Sequence, residues 1–288
     1  MVKTTLDLIF NIDKEENLPS FEIVKRFRNI FKEKKVGFLG TLDPFASGVL
    51  PLFSGNFTKI IRFLEDCDKV YDAFIEFGIL TDTFDITGKI VERKNQKIKV
   101  GEQSIEEVIK KFFLGERLQT IPTFSAVKIK GERAYKLARK GIMFEEKRKK
   151  VFMKDFKIVY FDGKNLNIQI KVKKGFYVRS FAKELGEKLD TYGTVVKLRR
   201  LENGFFKIAD AKKIDDVKVE DSKKLEEVVK DIMDTLEVDH KDFNILKNGN
   251  FLKLKNGYEK KLLLVKHENN YIVTENKDGF IYPKRCIV

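Results

Sequence analysis

Residues 34–55 read KKVGFLGTLDPFASGVLPLFSG, and the rest of the chain is interpreted outward from them. Gly37, Gly40, Gly48 and Pro44 surround a single carboxylate, Asp43, between a basic helical run and an apolar segment. Glycine admits a positive φ, whereas proline fixes its own φ and biases its predecessor, so this density specifies a shaped loop rather than a helix or strand. An aspartate before proline commonly opens a type I turn, its carboxylate satisfying local N–H groups. A carboxylate fixed in place for chemistry fits the same residues, and the loop alone leaves both readings open.

On the N-terminal side, Leu6, Leu8, Phe10 and Ile12 alternate as in a strand with one buried face. Ser20 is expected to cap a helix with Phe21, Val24, Phe27, Ile30 and Phe31 on one side and Lys25, Arg26, Arg28 and Lys32 on the other. On the C-terminal side, Val49 to Phe53 predicts a short buried strand and Thr58 to Glu65 a helix. Lys69 to Phe77 predicts a strand with Tyr71, Ala73, Ile75 and Phe77 on one face, followed by a polar connection from Leu80 to Lys89. Ser104 and Glu107 suggest a capping box before the apolar stripe Ile105, Val108, Ile109, Phe112 and Phe113.

Residues 121–141 combine Phe124 and Tyr135 with Lys128, Lys130, Arg133, Lys136, Arg139 and Lys140. That mixture suits a phosphate backbone with unstacked bases nearby, and it suits a solvated helix equally well. Strands are expected from Val151 to Tyr160, Asn165 to Lys173 and Gly193 to Phe206. Between the last two, Val178, Phe181, Ala182, Leu185 and Leu189 mark a buried helix face. Arg179 lies beside that stripe near the helix N-terminus, where the dipole disfavours a cation, so it either reaches water or faces a carboxylate. A helix over KKLEEVVKDIMDTL precedes three strand-like runs, around Lys261 to Lys266, Tyr271 to Glu275 and Phe280 to Ile287. The expected division is a domain over 1–235 and a small β module over 236–288.

Composition limits the function classes. Fifty-eight Lys and Arg against 44 Asp and Glu give a net charge of +14, which favours an anionic partner, nucleic acid before a membrane surface. Cys67, Cys286, His240 and His267 lack ligand spacing, so neither a metal site nor a disulfide scaffold is expected. Without an apolar leader or an 18-residue apolar run, a cytoplasmic protein that does not span a membrane is expected.

Five blocks in order, together with the C-terminal end, make the chain resemble the TruB family of tRNA pseudouridine-55 synthases. Gly37 to Gly48 resembles that family's catalytic loop GHTGTLDPLATG, and Lys69, Val70, Tyr71 with Thr81, Asp82, Thr83 its KxY and TDT block. Pro122 to Gly141 is similar to its P-x-Y-S-A-x-K block and Tyr177 to Ser180 with Leu185 and Gly186 to its Y-[IV]-R-S block. Leu198, Arg199 and Arg200 match its L-R-R strand, and Gly279 to Val288 the end of its RNA-binding PUA domain. Three positions depart from the pattern. Phe38 replaces the usual His, keeping a ring that can stack but offering no hydrogen bond; Phe124 replaces a Tyr; and the N-terminal DKPxGxTS is reduced to Asp13 and Lys14 with Ser20.

The resemblance implies an α+β fold, a mixed, largely antiparallel sheet flanked by helices, with a PUA-like module. It also implies isomerisation of uridine 55 in the T-loop of tRNA. In that reading Asp43 is the essential carboxylate, Tyr71 stacks on the uracil, Arg179 partners Asp43 and Leu198 walls the base. Gly40, Phe38, Lys69, Tyr177, Lys128, Lys130 and Arg139 are expected to help bind the RNA. The reaction needs no cofactor, because one glycosidic bond is exchanged for another. The expected enzyme is a monomer whose partner is the tRNA T-stem-loop. The alternatives are a tRNA-binding folding helper without turnover and a subunit of a guide-RNA-directed complex. The intact Asp43, Tyr71 and Arg179 set argues against the helper. Against the guided subunit, no extended N-terminal segment or enlarged PUA module is read from the sequence.

Overall fold

The computed structural model describes residues 6–94, 98, 100–122, 147–254 and 257–287, and the backbone of 128–129 and 132–133 as a short strand pair. One nine-stranded sheet organises it. Its main path runs Ile9–Lys14, Ser47–Ser54, Gly193–Asn203, Lys69–Phe77, Asn165–Val172, Arg148–Phe161 and Gly115–Thr120, with Val36–Phe38 and Phe206–Lys207 paired at the side. Every pairing is antiparallel except Ser47–Ser54 against Gly193–Asn203, so the sheet is mixed and largely antiparallel, as expected.

Lys69–Phe77 shows how sequence makes this sheet. Alternate residues are buried, with Tyr71, Ala73, Ile75 and Phe77 on the core face. Helices Glu102–Phe112 and Val178–Lys188 supply Ile105, Ile109, Phe181, Ala182 and Leu185 to the same core, and Phe113 meets Phe181 edge to face at 5.0 Å. Ser47–Ser54 is buried at all eight positions, the signature of a strand covered on both sides. Leu50 and Leu52 enter the main core, while Val49 and Phe53 enter a second one.

That second core corrects the reading of the N-terminal strand. Phe10 and Ile12 face the main core, but Ile9 belongs to the second, so both faces are buried rather than one. Its other wall comes from Leu225, Val228 and Val229 and from Leu264, Tyr271 and Val273 of a five-stranded C-terminal sheet. The order there is Met233–Glu237, Leu262–His267, Asn270–Lys277, Phe280–Ile287 and Leu252–Lys253. Three of these match the expected runs. The helix foreseen over 223–236 ends at Val229, because Met233–Glu237 pairs in parallel with Leu262–His267. Tertiary pairing overrides a helical period there.

Two caps also differ. Pro19 occupies the cap position of helix Ser20–Phe31, leaving Ser20 inside the helix, and Gly101 precedes helix Glu102–Phe112 in place of Ser104. The segment Thr58 to Glu65 divides into a 3-10 turn, Gly55–Ile60, and a single α turn, Ile61–Leu64.

Candidate active site

The Asp43 loop is both a turn and a fixed site. Ala46 N–H donates to the Asp43 carbonyl at 3.1 Å, closing a turn with Pro44 at its second position. Side chains distant in sequence then hold it. Ser20 Oγ accepts from Leu42 N and donates to Leu42 O, both at 2.9 Å. Lys14 Nζ donates to the carbonyls of Leu18 at 2.6 Å, Glu15 at 2.9 Å and Pro44 at 3.2 Å. Arg200, fully buried, donates from Nε to Val49 O at 2.7 Å and from Nη2 to Gly40 O at 2.9 Å, and Asn203 Nδ2 donates to Leu39 O at 2.8 Å. Gly48, at φ 100°, lies against the Arg200 backbone, and a methyl there would overlap the Arg200 carbonyl.

Arg179 is the second residue of helix Val178–Lys188, and its side chain is 4% exposed. It reaches a carboxylate, not water. Nε donates to Asp43 Oδ2 at 2.9 Å and Nη2 to Asp43 Oδ1 at 3.2 Å, a two-point contact that also fixes the orientation of the carboxylate. Asp43 itself keeps 38% of its side chain exposed. Arg179 Nη1 donates to Thr83 O at 3.0 Å and stands 3.4 Å from Asp85 Oδ2. Two acids thus offset a cation that burial and the helix dipole both disfavour.

In the sequence Asp85 reads only as part of a polar connection. It is buried, and its Oδ1 accepts from Thr83 Oγ1 at 2.8 Å, Thr87 N at 2.9 Å and Thr87 Oγ1 at 2.5 Å. The threonines on either side of it were the available signal, since Thr-x-Asp-x-Thr lets two hydroxyls fix one carboxylate locally.

Beside Asp43 lies a hollow of about 320 Å³. Tyr71 and Leu198, both buried, line it together with Arg179, Gly40, Lys69 and Tyr177, so seven of the expected site residues meet around one space. Lys69 is buried, donates from Nζ to Cys67 O at 3.0 Å and Glu65 O at 3.3 Å, and is pushed down to about 8 by desolvation. Lys14 is lowered to about 8 for the same reason, with the Asp43 charge opposing the shift. Phe38 stands apart from the hollow, on Val36–Phe38 opposite Leu52, packed against the main core. Lys130 and Arg139 lie outside the described residues, as does the side chain of Lys128. Among the described residues no three His, Cys, Asp or Glu form a group able to hold a metal ion.

A partly exposed carboxylate held by a buried guanidinium thus stands beside a hollow with aromatic and aliphatic lining. Residues 28–178 match the family model described as TruB family pseudouridylate synthase, N-terminal domain. A tRNA pseudouridine synthase B of Clostridium tetani is 34% identical over 276 residues, covering 95% of this chain and 93% of the relative. One from Caldicellulosiruptor saccharolyticus is 36% identical over 277 residues, covering 96% and 94%. One from Ureaplasma urealyticum is 42% identical over 211 residues, covering 73% and 91%. Among solved structures, an H/ACA RNP bound to a substrate RNA containing 2′-deoxyuridine aligns with TM-score 0.71 at 17% identity, covering 98% of this chain and 85% of that one. A Cbf5-Nop10-Gar1 complex aligns with TM-score 0.70 at 19% identity, with the same coverage. At those identities the likeness is one of fold.

Proposed function

The chain belongs to the TruB family of pseudouridylate synthases, and from that premise we propose that it isomerises uridine 55 in the T-loop of tRNA, with Asp43 as the essential carboxylate. The observation that carries this reading is the two-point contact of Arg179 with Asp43 at the edge of the hollow. It leaves the carboxylate oriented and still open to a ligand.

The chemistry needs little else. The N1 to C1′ bond of the uridine breaks, the uracil turns, and C5 bonds to C1′ in its place; C5 loses one proton and N1 gains one. Atoms and electrons balance without oxidant or hydrolysis. Asp43 supplies the step at the sugar, as nucleophile or as base. The target must leave the loop stack first, and the ring of Tyr71 with the side chain of Leu198 offers the uracil a replacement surface. Tyr71 is the acceptor we assign to the C5 proton. Lys69, Gly40 and Tyr177 bind the nucleotide around that surface; Lys128, Lys130 and Arg139 contact the stem.

The C-terminal β-rich unit is assigned the PUA-like RNA-binding role, and the enzyme is assigned to the cytoplasm. No helix among the described residues is long and apolar enough to cross a membrane.

Tritium release from 5-tritiated uridine in an unmodified tRNA transcript tests the assignment. Asp43→Asn is expected to abolish release while tRNA binding persists. Release at the wild-type rate would remove Asp43 from this role.

A further inference from the structure

Buried cations around the hollow outnumber the acids that could neutralise them. Arg200 and Lys14 are fully buried and Lys69 is 8% exposed, yet among the described residues none of the three pairs with a carboxylate. Each donates instead to backbone carbonyls of the loop or its neighbours. Arg200 and Lys69 lie together beneath Gly40, where an added methyl would stand 3.3 Å from Arg200 Nη1 and 3.5 Å from Lys69 Cε. Buried charges of this kind normally have a counter-charge, since leaving one unpaired is costly.

The same side of the hollow carries two more cations. Lys174 lines it, and Lys149 Nζ lies 4.3 Å from the centre of the Tyr177 ring and beside Gly175, both of which line it. Glu65 is the acid on that side, and it is already paired with Lys174 at 2.5 Å, while Asp66 stands 3.7 Å from the same ammonium. The Cys67 thiol is pushed up by burial and adds no charge there. The wall made by Lys69, Lys149 and Lys174 over Arg200 therefore stays positive after every visible pairing.

We propose that this wall is an anion subsite that takes the phosphodiester next to the flipped uridine, so that the substrate itself completes the charge of Lys69 and Arg200. The inference rests on the reading of this chain as an RNA-modifying enzyme. A phosphate there would couple docking of the backbone to delivery of the base, because both contacts are made within one hollow. It would also raise the proton affinity of Lys69, which burial and the neighbouring Arg200 and Lys174 lower.

The test uses the full chain and small probes. Uridine 5′-monophosphate and uridine 3′-monophosphate are compared with uridine, at equal concentration and ionic strength, by their shifts of the unfolding midpoint and by calorimetric titration. A charge-assisted contact predicts at least one monophosphate binding roughly tenfold tighter than uridine. Its binding at pH 8.5 takes up protons, read as a dependence of the heat on buffer ionisation. Lys69→Met should remove both the advantage and the proton uptake. Lys174→Gln, at a half-exposed side chain, should reduce the advantage. Monophosphates that shift the midpoint no more than uridine, or an advantage unchanged in both variants, overturn the subsite. An intact advantage with no binding of an unmodified T-stem-loop would keep the subsite and remove the tRNA assignment.

Discussion

Arg179 Nη1 stands 3.4 Å from Asp85 Oδ2 while the other edge of the same guanidinium holds Asp43. Asp85 does not line the hollow, so any effect it has on the site is expected to pass through Arg179, as that of a positioning residue. Asp85→Ala leaves a buried guanidinium short of one partner and should cost about 3 kcal/mol of stability. Asp85→Asn keeps the volume and should cost less. It should lower kcat for tritium release more than tenfold with little change in KM, whereas a purely structural role would leave kcat intact in the folded fraction. Arg179→Lys should lose most of the activity, since an ammonium cannot span both carboxylates.

The Ser20 tie is open to a smaller test. Ser20→Ala removes two hydrogen bonds between the first helix and Leu42, next to Asp43. The expected loss is about 1 to 2 kcal/mol by urea unfolding, with a fall in kcat as the loop relaxes. Unchanged kcat would mean that the ties from Lys14, Arg200 and Arg179 hold Asp43 without Ser20.

Gly48 and Gly40 should respond differently. At Gly48 a methyl meets backbone, which cannot retreat, and φ is 100°, so Gly48→Ala should yield little folded protein. At Gly40 the nearest groups are ends of long side chains, with φ at 70°. Gly40→Ala should fold, at a cost of about 1 to 2 kcal/mol, and bind substrate more weakly. Circular dichroism and gel filtration separate the two cases.

Lys14 and Lys69 give stability a pH dependence on the alkaline side. Both titrate at about 8 when folded and at about 10.5 when unfolded. Between those values the unfolded chain holds more protons, so their contribution to stability rises with pH and is lost as pH falls through 8. Urea midpoints measured from pH 7 to 9.5 should show this rise, and Lys69→Met should flatten it. An identical slope in that variant would show that Lys69 titrates normally.

Much of this arrangement was legible from sequence, for identifiable reasons. The alternation of Tyr71, Ala73, Ile75 and Phe77 states which way the central strand faces, and the glycines around Asp43 announce a shaped loop. Arg179 was conspicuous because a cation at a helix N-terminus needs an explanation. What stayed hidden depends on contacts made across the chain. Nothing local to Ser20 indicates Leu42, and nothing local to Arg200 indicates Gly40, 160 residues away. Leu225 to Leu236 has a helical period throughout, yet its last part becomes a strand because Leu262–His267 offers it an edge. The face of Ile9 was similarly unreadable until the sheet that covers it was present.

That covering sheet bears on how the chain can be divided. Val49 and Phe53, on the strand that carries the Asp43 loop into the body of the enzyme, share a core with Leu264, Tyr271 and Val273. A truncation ending before Met233 would remove Met233, Leu264, Tyr271, Val273 and Ile287 from that core and open one side of it to solvent. The tail thus works as the rear wall of the catalytic body, and trimming it to isolate a minimal enzyme would leave a sticky, poorly expressed remnant rather than a smaller catalyst.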